Sequence, residues 1–304
     1  MRQHTLKKSY TFTGKGLHTG VLTNMTVMPA PEGSGISFRR SDLGGNATVR
    51  AIASNVGDVA FNTSLEEDGV KVMLVEHVLS ALAGLGVDNA LIELDNIEVP
   101  VLDGSARPYV EAIAADGLQE QQGERKYLEV KEAFTYHDDR TDAWVKVEPC
   151  SHFEARLTID FNSPVVGIQS CSFDPSVDYA SQIAPCRTFC FFSQLEQLAA
   201  AGLVKGGDMD NAIVIVDRDV DAASVGRVAE IFNAGGIEVR QGYLSNVDLH
   251  FDNECARHKM LDLIGDFSLL GAPLKAKVTA MKTGHRVNAA VTNILLKQFT
   301  QDTI

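Results

Sequence analysis

The chain has 304 residues, 45% hydrophobic and 22% charged, a composition that supports a buried core divided into two domains and excludes disordered and fibrous classes. Its formal net charge of -13 argues against non-specific nucleic-acid binding and against a polybasic membrane-surface role. The opening MRQHTLKKSYTF lacks an apolar signal region, and no apolar run reaches the roughly 18 residues of a membrane span. Five irregularly spaced cysteines make a disulfide framework unexpected, so the cytoplasm is the expected compartment.

Taken in chain order, GKGLHTG (Gly14–Gly20) is a glycine-rich turn without the spacing of a phosphate loop. Over Val72–Gly86, Leu74, Val75, Val78, Leu79, Leu82 and Leu85 follow helical spacing, and glycines stop the helix. Ala90–Leu94 reads as a strand and Pro100–Ser105 as a loop. The polar GLQEQQGERK (Gly117–Lys126) reads as a linker, dividing the chain into residues 1–122 and 123–304. Phe153–Phe161 alternates as a strand with Phe153, Ala155, Leu157, Ile159 and Phe161 on its buried face. Cys186 and Cys190 lack the second close pair that a structural zinc site needs. Val225, Val228, Ala229 and Phe232 predict a helix, and Ile237–Val239 a strand.

Glu254–Leu270 predicts an amphipathic helix ending at Gly271, followed by the strand Leu274–Met281. Both segments thus run histidine, helix, Leu-Gly, strand, which hints at two related α+β domains facing each other. Gly284 is expected to free the backbone to present His285 from a loop, and a polar tail follows to Ile304.

His258 and Asp262 stand four residues apart, on one helix face, with Asp266 one turn further and placed to orient a neighbour. Spacing alone favours a solvated surface pair. Glu76-His77, however, lies inside the most apolar helix of the sequence, where ionisable neighbours are costly without partners. His77, His258 and Asp262 would complete the two-histidine, one-carboxylate set of catalytic zinc, with one position left for water. Glu76 points about 100° away from His77 and suits a general base rather than a ligand. Read alone, His285 fits a solvated loop histidine; protonated, it would stabilise an oxyanion or donate to a leaving amine. Lys259 is read as a cation near the metal or a solvated helix lysine; Arg187, Thr188 and Phe189 look like turn and core residues when read alone.

Assembled, these segments resemble the UDP-3-O-acyl-N-acetylglucosamine deacetylases of lipid A biosynthesis. The likeness also runs through VEHVLSALAGLGVDNALIEL, PVLDGSA, TIDFNSP, CRTFCF and GLVKGGDMDNA, and so covers nearly the whole chain. It implies an α+β fold of two related domains, each layering helices on a mostly antiparallel sheet, with the active site between them. It implies one zinc ion held by His77, His258 and Asp262, with Glu76 as base and His285 as acid or cationic stabiliser. Thr188 would bond the oxyanion, Asp266 would partner His285, and Lys259, Phe161 and Phe189 would contact substrate. That substrate would be UDP-3-O-acyl-N-acetylglucosamine, processed by a cytoplasmic monomer with no nucleic-acid partner. Leu195–Met209 would wall an acyl tunnel.

Between Asp217 and His250 the chain is longer than typical family members, which implies an added helix and strand. Some members with such an insertion continue into a dehydratase domain; no dehydratase activity is expected of these residues. The same donors suit several first-row metals, iron among them. Two alternatives stand beside the enzyme: a silent sugar-nucleotide or acyl-chain binding protein of the same fold, and a zinc peptidase, for which the helical H-E-x-x-H signature is missing.

Overall fold

The computed structural model describes residues 1–200, 202–203, 205–208, 210–231, 237–244 and 248–301. Seven helices are present among them: α1 Glu76–Leu85, α2 Arg107–Ala114, α3 Tyr179–Gln182, α4 Phe192–Ala200, α5 Ala222–Ile231, α6 Glu254–Ser268 and α7 His285–Gln301.

Alternating burial along Leu22–Pro29 and Ala90–Leu94 makes them strands with one covered face. They lie centrally in a five-stranded sheet ordered Tyr10–Lys15, Leu22–Pro29, Ala90–Leu94, Ile36–Arg40, Thr48–Arg50. One pair, Ile36–Arg40 with Ala90–Leu94, is parallel; the others are antiparallel. A second sheet runs Phe134–His137, Trp144–Pro149, Leu274–Met281, Phe153–Asp160, Ile168–Phe173, and Leu128–Glu129 adds to the start of Leu274–Met281. Leu79 and Leu82 of α1, Met25 and Ile92 of the first sheet, and Leu261 of α6 with Val278 of the second share one continuous core. The fold is therefore α+β, with helices layered on mostly antiparallel sheets.

The two halves meet where α1 packs on α6, and Gly265 sets how closely. A Cβ built there would lie 2.2 Å from the Glu76 carbonyl oxygen, so the missing side chain is what lets α6 touch the backbone of α1.

Several sequence expectations need correction. α1 begins at Glu76, because Val70–Val72 pairs with Leu65–Glu67 and Leu74 takes a left-handed φ of 60° that breaks the helical run. The expected linker contains a strand, Leu118–Glu124, paired with Arg2–Leu6. Its largely exposed positions keep it polar, and backbone ladder bonds rather than apolar side chains hold it. Phe161 lies just past the end of its strand and is 39% exposed. His285 opens α7, which replaces the expected loop and tail; Val287, Val291 and Leu295 bury its inner stripe.

The segment between Asp217 and His250 supplies α5 and the short strands Val239–Arg240 and Tyr243–Leu244, which extend a small sheet with Phe189–Phe191 and Ile213–Ile215. Phe192, Leu195, Val214, Val216, Val228 and Leu244 form its separate core, so Leu195 faces that core. Phe232 and Met209 lie outside the described residues. Among the described residues no helix is long and apolar enough to cross a membrane.

Candidate metal centre and active site

The contact between α1 and α6 buries four ionisable side chains in apolar surroundings. Glu76 and His77 come from the first turn of α1, and His258 and Asp262 from successive turns of α6. Donor atoms of His77, His258 and Asp262 lie within 4.8 Å of one another. His258 Nε2 stands 3.4 Å and His77 Nε2 3.8 Å from Asp262 Oδ1, and the two imidazoles meet edge to face.

The donor set fits a metal ion. Asp262 Oδ1 is buried and has no hydrogen-bond partner among the described residues. His258 Nδ1 lies 3.0 Å from the Cys186 carbonyl oxygen and donates to it, which leaves the Nε2 lone pair facing Asp262. Burial pushes both imidazoles down, His77 to about 3, and His258 presses further on His77, which favours the neutral form that metal ligands need. Burial alone would raise Asp262, but His258, Lys259, His285 and His77 together hold it far below the usual carboxylate range. Three donor side chains thus converge. Tetrahedral coordination at about 2.0–2.2 Å separates ligand atoms by roughly 3.3–3.6 Å, close to the spacing around Asp262 Oδ1.

The other carboxylate oxygen faces cations. Asp262 Oδ2 accepts from Lys259 Nζ at 2.7 Å and lies 3.8 Å from His285 Nε2. His285 Nε2 is also 3.9 Å from Glu76 Oε1, so it points between the two acidic groups. Its Nδ1 lies 3.1 Å from Asp266 Oδ2. Burial disfavours the imidazolium, but Asp266, Asp262 and Glu76 outweigh it and lift His285 to about 9. Glu76 moves up to about 8, mainly through burial, with His285 opposing and Asp262 and Asp266 adding to the rise. A carboxyl and an imidazole therefore sit side by side with raised affinity for protons, a pattern typical of acid–base pairs.

Sequence reading missed the supports of this pair. Thr63 donates its backbone N–H to Glu76 Oε2 at 3.0 Å and its hydroxyl to Asp266 Oδ1 at 2.6 Å, while the hydroxyl also lies 3.1 Å from His285 Nδ1. Asn288, one turn into α7, donates to Asp266 Oδ2 at 2.8 Å. Neither belongs to a local pattern; only tertiary contact brings them in. The backbone freedom expected of Gly284 is exercised at Lys282, whose φ is 54°. Leu74 and Lys282, both left-handed without being glycine, thus precede Glu76 and His285, and such strain persists only where its surroundings enforce it.

Beside His258 stands an aromatic wall. Phe189 lies 6.1 Å from the His258 ring and 5.5 Å from Phe161, and Lys259 Nζ sits 5.3 Å above Phe189. The three expected substrate-contact residues are thereby brought together next to the cluster. Thr188 is half-buried; its backbone N–H donates to Gly104 and its carbonyl accepts from Ile213. Its hydroxyl makes no hydrogen bond among the described residues. Gly104 takes a φ of 79°, and a Cβ there would meet the Asn211 carbonyl oxygen at 2.0 Å, which explains the glycine in PVLDGSA. GKGLHTG holds a carboxylate: Glu98 accepts from the backbone N–H groups of His18 and Thr19 and from the Thr19 hydroxyl, so these three donors are already engaged.

A family model described as "LpxC: UDP-3-O-acyl N-acetylglycosamine deacetylase" matches residues 3–297. The chain belongs to this family. A deacetylase-family relative in Saccharophagus degradans, named UDP-3-O-acyl-N-acetylglucosamine deacetylase, is 40% identical over 98% of this chain and 91% of its own length. One of the same name in Myxococcus xanthus is 40% identical over 94% of this chain and 83% of its own. A bifunctional enzyme LpxC/FabZ of Bacteroides thetaiotaomicron is 38% identical over 95% of this chain, which spans 63% of that relative's length.

Proposed function

We propose that this chain hydrolyses the 2-acetamido group of UDP-3-O-(3-hydroxyacyl)-N-acetylglucosamine, releasing acetate in the committed step of lipid A biosynthesis. The observation that carries the reading is the meeting of the His77, His258 and Asp262 donors with Glu76 and His285 in a member of the deacetylase family. In this reading the enzyme is a cytoplasmic monomer built from domains 1–122 and 123–304.

His77, His258 and Asp262 would hold one zinc ion, which when bound supplies Lewis acidity to water and to the amide carbonyl. Glu76 takes the proton from the attacking water as the new carbon–oxygen bond forms. Its raised proton affinity suits it to keep that proton while the tetrahedral species exists. Thr188 offers its free hydroxyl to the oxyanion. His285, held protonated by Asp266, gives its Nε2 proton to the amine nitrogen as the carbon–nitrogen bond breaks, leaving acetate and a free amine. Lys259, Phe161 and Phe189 bind substrate beside His258: the lysine offers a cation to an anionic group and the aromatic faces offer stacking surface.

The test is release of acetate from this substrate by the purified chain, with and without a zinc chelator. Turnover that is lost on chelation and returns with zinc is expected. Saturable binding of the substrate with no acetate released would replace the enzyme by a binding protein.

A further inference from the structure

A second group of metal-type donors lies outside the site described above. The strands Trp144–Pro149 and Phe153–Asp160 flank Leu274–Met281 on either side, so Cys150, Ser151 and His152 arch over the start of the central strand. The register sets Pro149 and Phe153 opposite Ala276, and Glu148 and Glu154 opposite Lys277. This arch carries a C-x-H-x-E spacing onto one edge.

Cys150 Sγ lies 3.9 Å from His152 Nδ1, and His152 Nε2 lies 3.5 Å from Glu154 Oε2. One donor atom from each residue falls within 4.8 Å of the other two. Lys277 Nζ occupies Glu154 Oε1 at 2.8 Å and, with its hydrogen bond foremost, holds that carboxyl below its ordinary range. Oε2 is the oxygen turned towards His152. Ser151 Oγ, 3.2 Å from His152 Nδ1, is a further polar contact on the ring. Thiolate, imidazole and carboxylate are the three side-chain types that zinc accepts; one nitrogen of His152 lies with Cys150 Sγ and a Glu154 oxygen inside 4.8 Å, a spread that coordination at about 2.0–2.3 Å would draw in.

Cys150 also differs from the other four cysteines. Burial pushes the thiols of Cys171, Cys190 and Cys255 up, to about 11, 12 and 12, and raises Cys186 as well. Cys171, Cys186 and Cys255 are buried; Cys150 and Cys190 are half-buried, and of these two Cys150 has an exposed histidine beside its sulfur.

We propose that Cys150, His152 and Glu154 form a second, surface site for a borderline-soft divalent cation such as zinc or cobalt, separate from His77, His258 and Asp262. Binding forms the sulfur–metal bond and releases the thiol proton to solvent, and the remaining coordination positions are open to water.

Cobalt(II) distinguishes the two sites, because only this one contains sulfur. The full chain, stripped of metal and kept reduced, is titrated with cobalt(II) while absorbance is followed. Two equivalents are expected to bind, one of them with a near-ultraviolet thiolate-to-cobalt charge-transfer band. Cys150→Ser should remove the band and one equivalent while leaving acetate release unchanged; His152→Ala should weaken the same equivalent at least tenfold. A wild type that binds two equivalents with no such band, or only one equivalent, overturns the proposal. So does a band that survives in Cys150→Ser. A deacetylase reading that fails would show instead as bound cobalt without turnover, with the band intact.

Discussion

Gly265→Ala perturbs the contact that brings the two halves of the site together, and its effect can be worked from the packing. The new methyl would sit 2.2 Å from the Glu76 carbonyl oxygen, 3.0 Å from its carbonyl carbon and 3.2 Å from its Cα. Ordinary contacts of this kind need about 3.4 Å or more. α6 must therefore retreat from α1 by about 1 Å, because the obstacle is backbone and cannot rotate away. That retreat acts on the 3.8 Å separation of His77 Nε2 from Asp262 Oδ1 and the 3.9 Å separation of Glu76 Oε1 from His285 Nε2. Overpacking of this size costs about 1–3 kcal/mol of stability, and a misplacement of about 1 Å costs about 100-fold in rate. The assay is acetate release with bound zinc measured in parallel, where a drop of about 100-fold in kcat/KM and weaker zinc retention are expected. Gly226→Ala is the matched control: it lies in α5 with nothing within 4 Å of the added methyl, and it should leave activity unchanged and raise Tm slightly. Activity of Gly265→Ala within twofold of wild type, with zinc content and Tm unchanged, would refute the idea that the helix contact sets the site.

Thr63→Val deletes a hydroxyl that bonds Asp266 and touches His285; hydrogen bonds to charged groups are worth about 1.5–3 kcal/mol, so kcat should fall roughly tenfold or more with zinc content unchanged. A variant as active as wild type would remove Thr63 from the network. Metal removal exposes a pH dependence with a definite sign. His285 is raised from 6.5 to about 9 and Glu76 from 4.5 to about 8. Each contributes stability that is complete below its unfolded pKa and is lost as pH rises through its folded one. Tm of the zinc-free protein should therefore fall between about pH 6.5 and pH 9, and His285→Gln should flatten part of that fall; a Tm that rises across this window contradicts the assignment.

Much of the candidate site was legible because its donor residues carry local signatures. His258 and Asp262 follow the i, i+4 spacing of one helix face, and Glu76-His77 announces itself by standing in apolar sequence. The strands Ala90–Leu94 and Leu274–Met281 and the helix containing His258 were equally legible from periodicity. Thr63 and Asn288 were not, since their roles exist only once residues about 200 positions apart, or on a separate helix, converge on Asp266. α7 was overlooked although Val287, Val291 and Leu295 keep helical spacing, because its other positions are mostly polar and suggest a tail. The strand inside the expected linker was invisible for a different reason: an exposed ribbon held by backbone bonds leaves almost no apolar alternation to read.

Glu76 is proposed as the base beside a metal it does not bind. Bound zinc and acetate release measured together for wild type and Glu76→Gln test it most directly. The variant is expected to keep one zinc ion per chain and lose about 100-fold or more in kcat, the range that general-base catalysis supplies. A Glu76→Gln variant that retains near-full turnover, or that loses its zinc along with its activity, would contradict it.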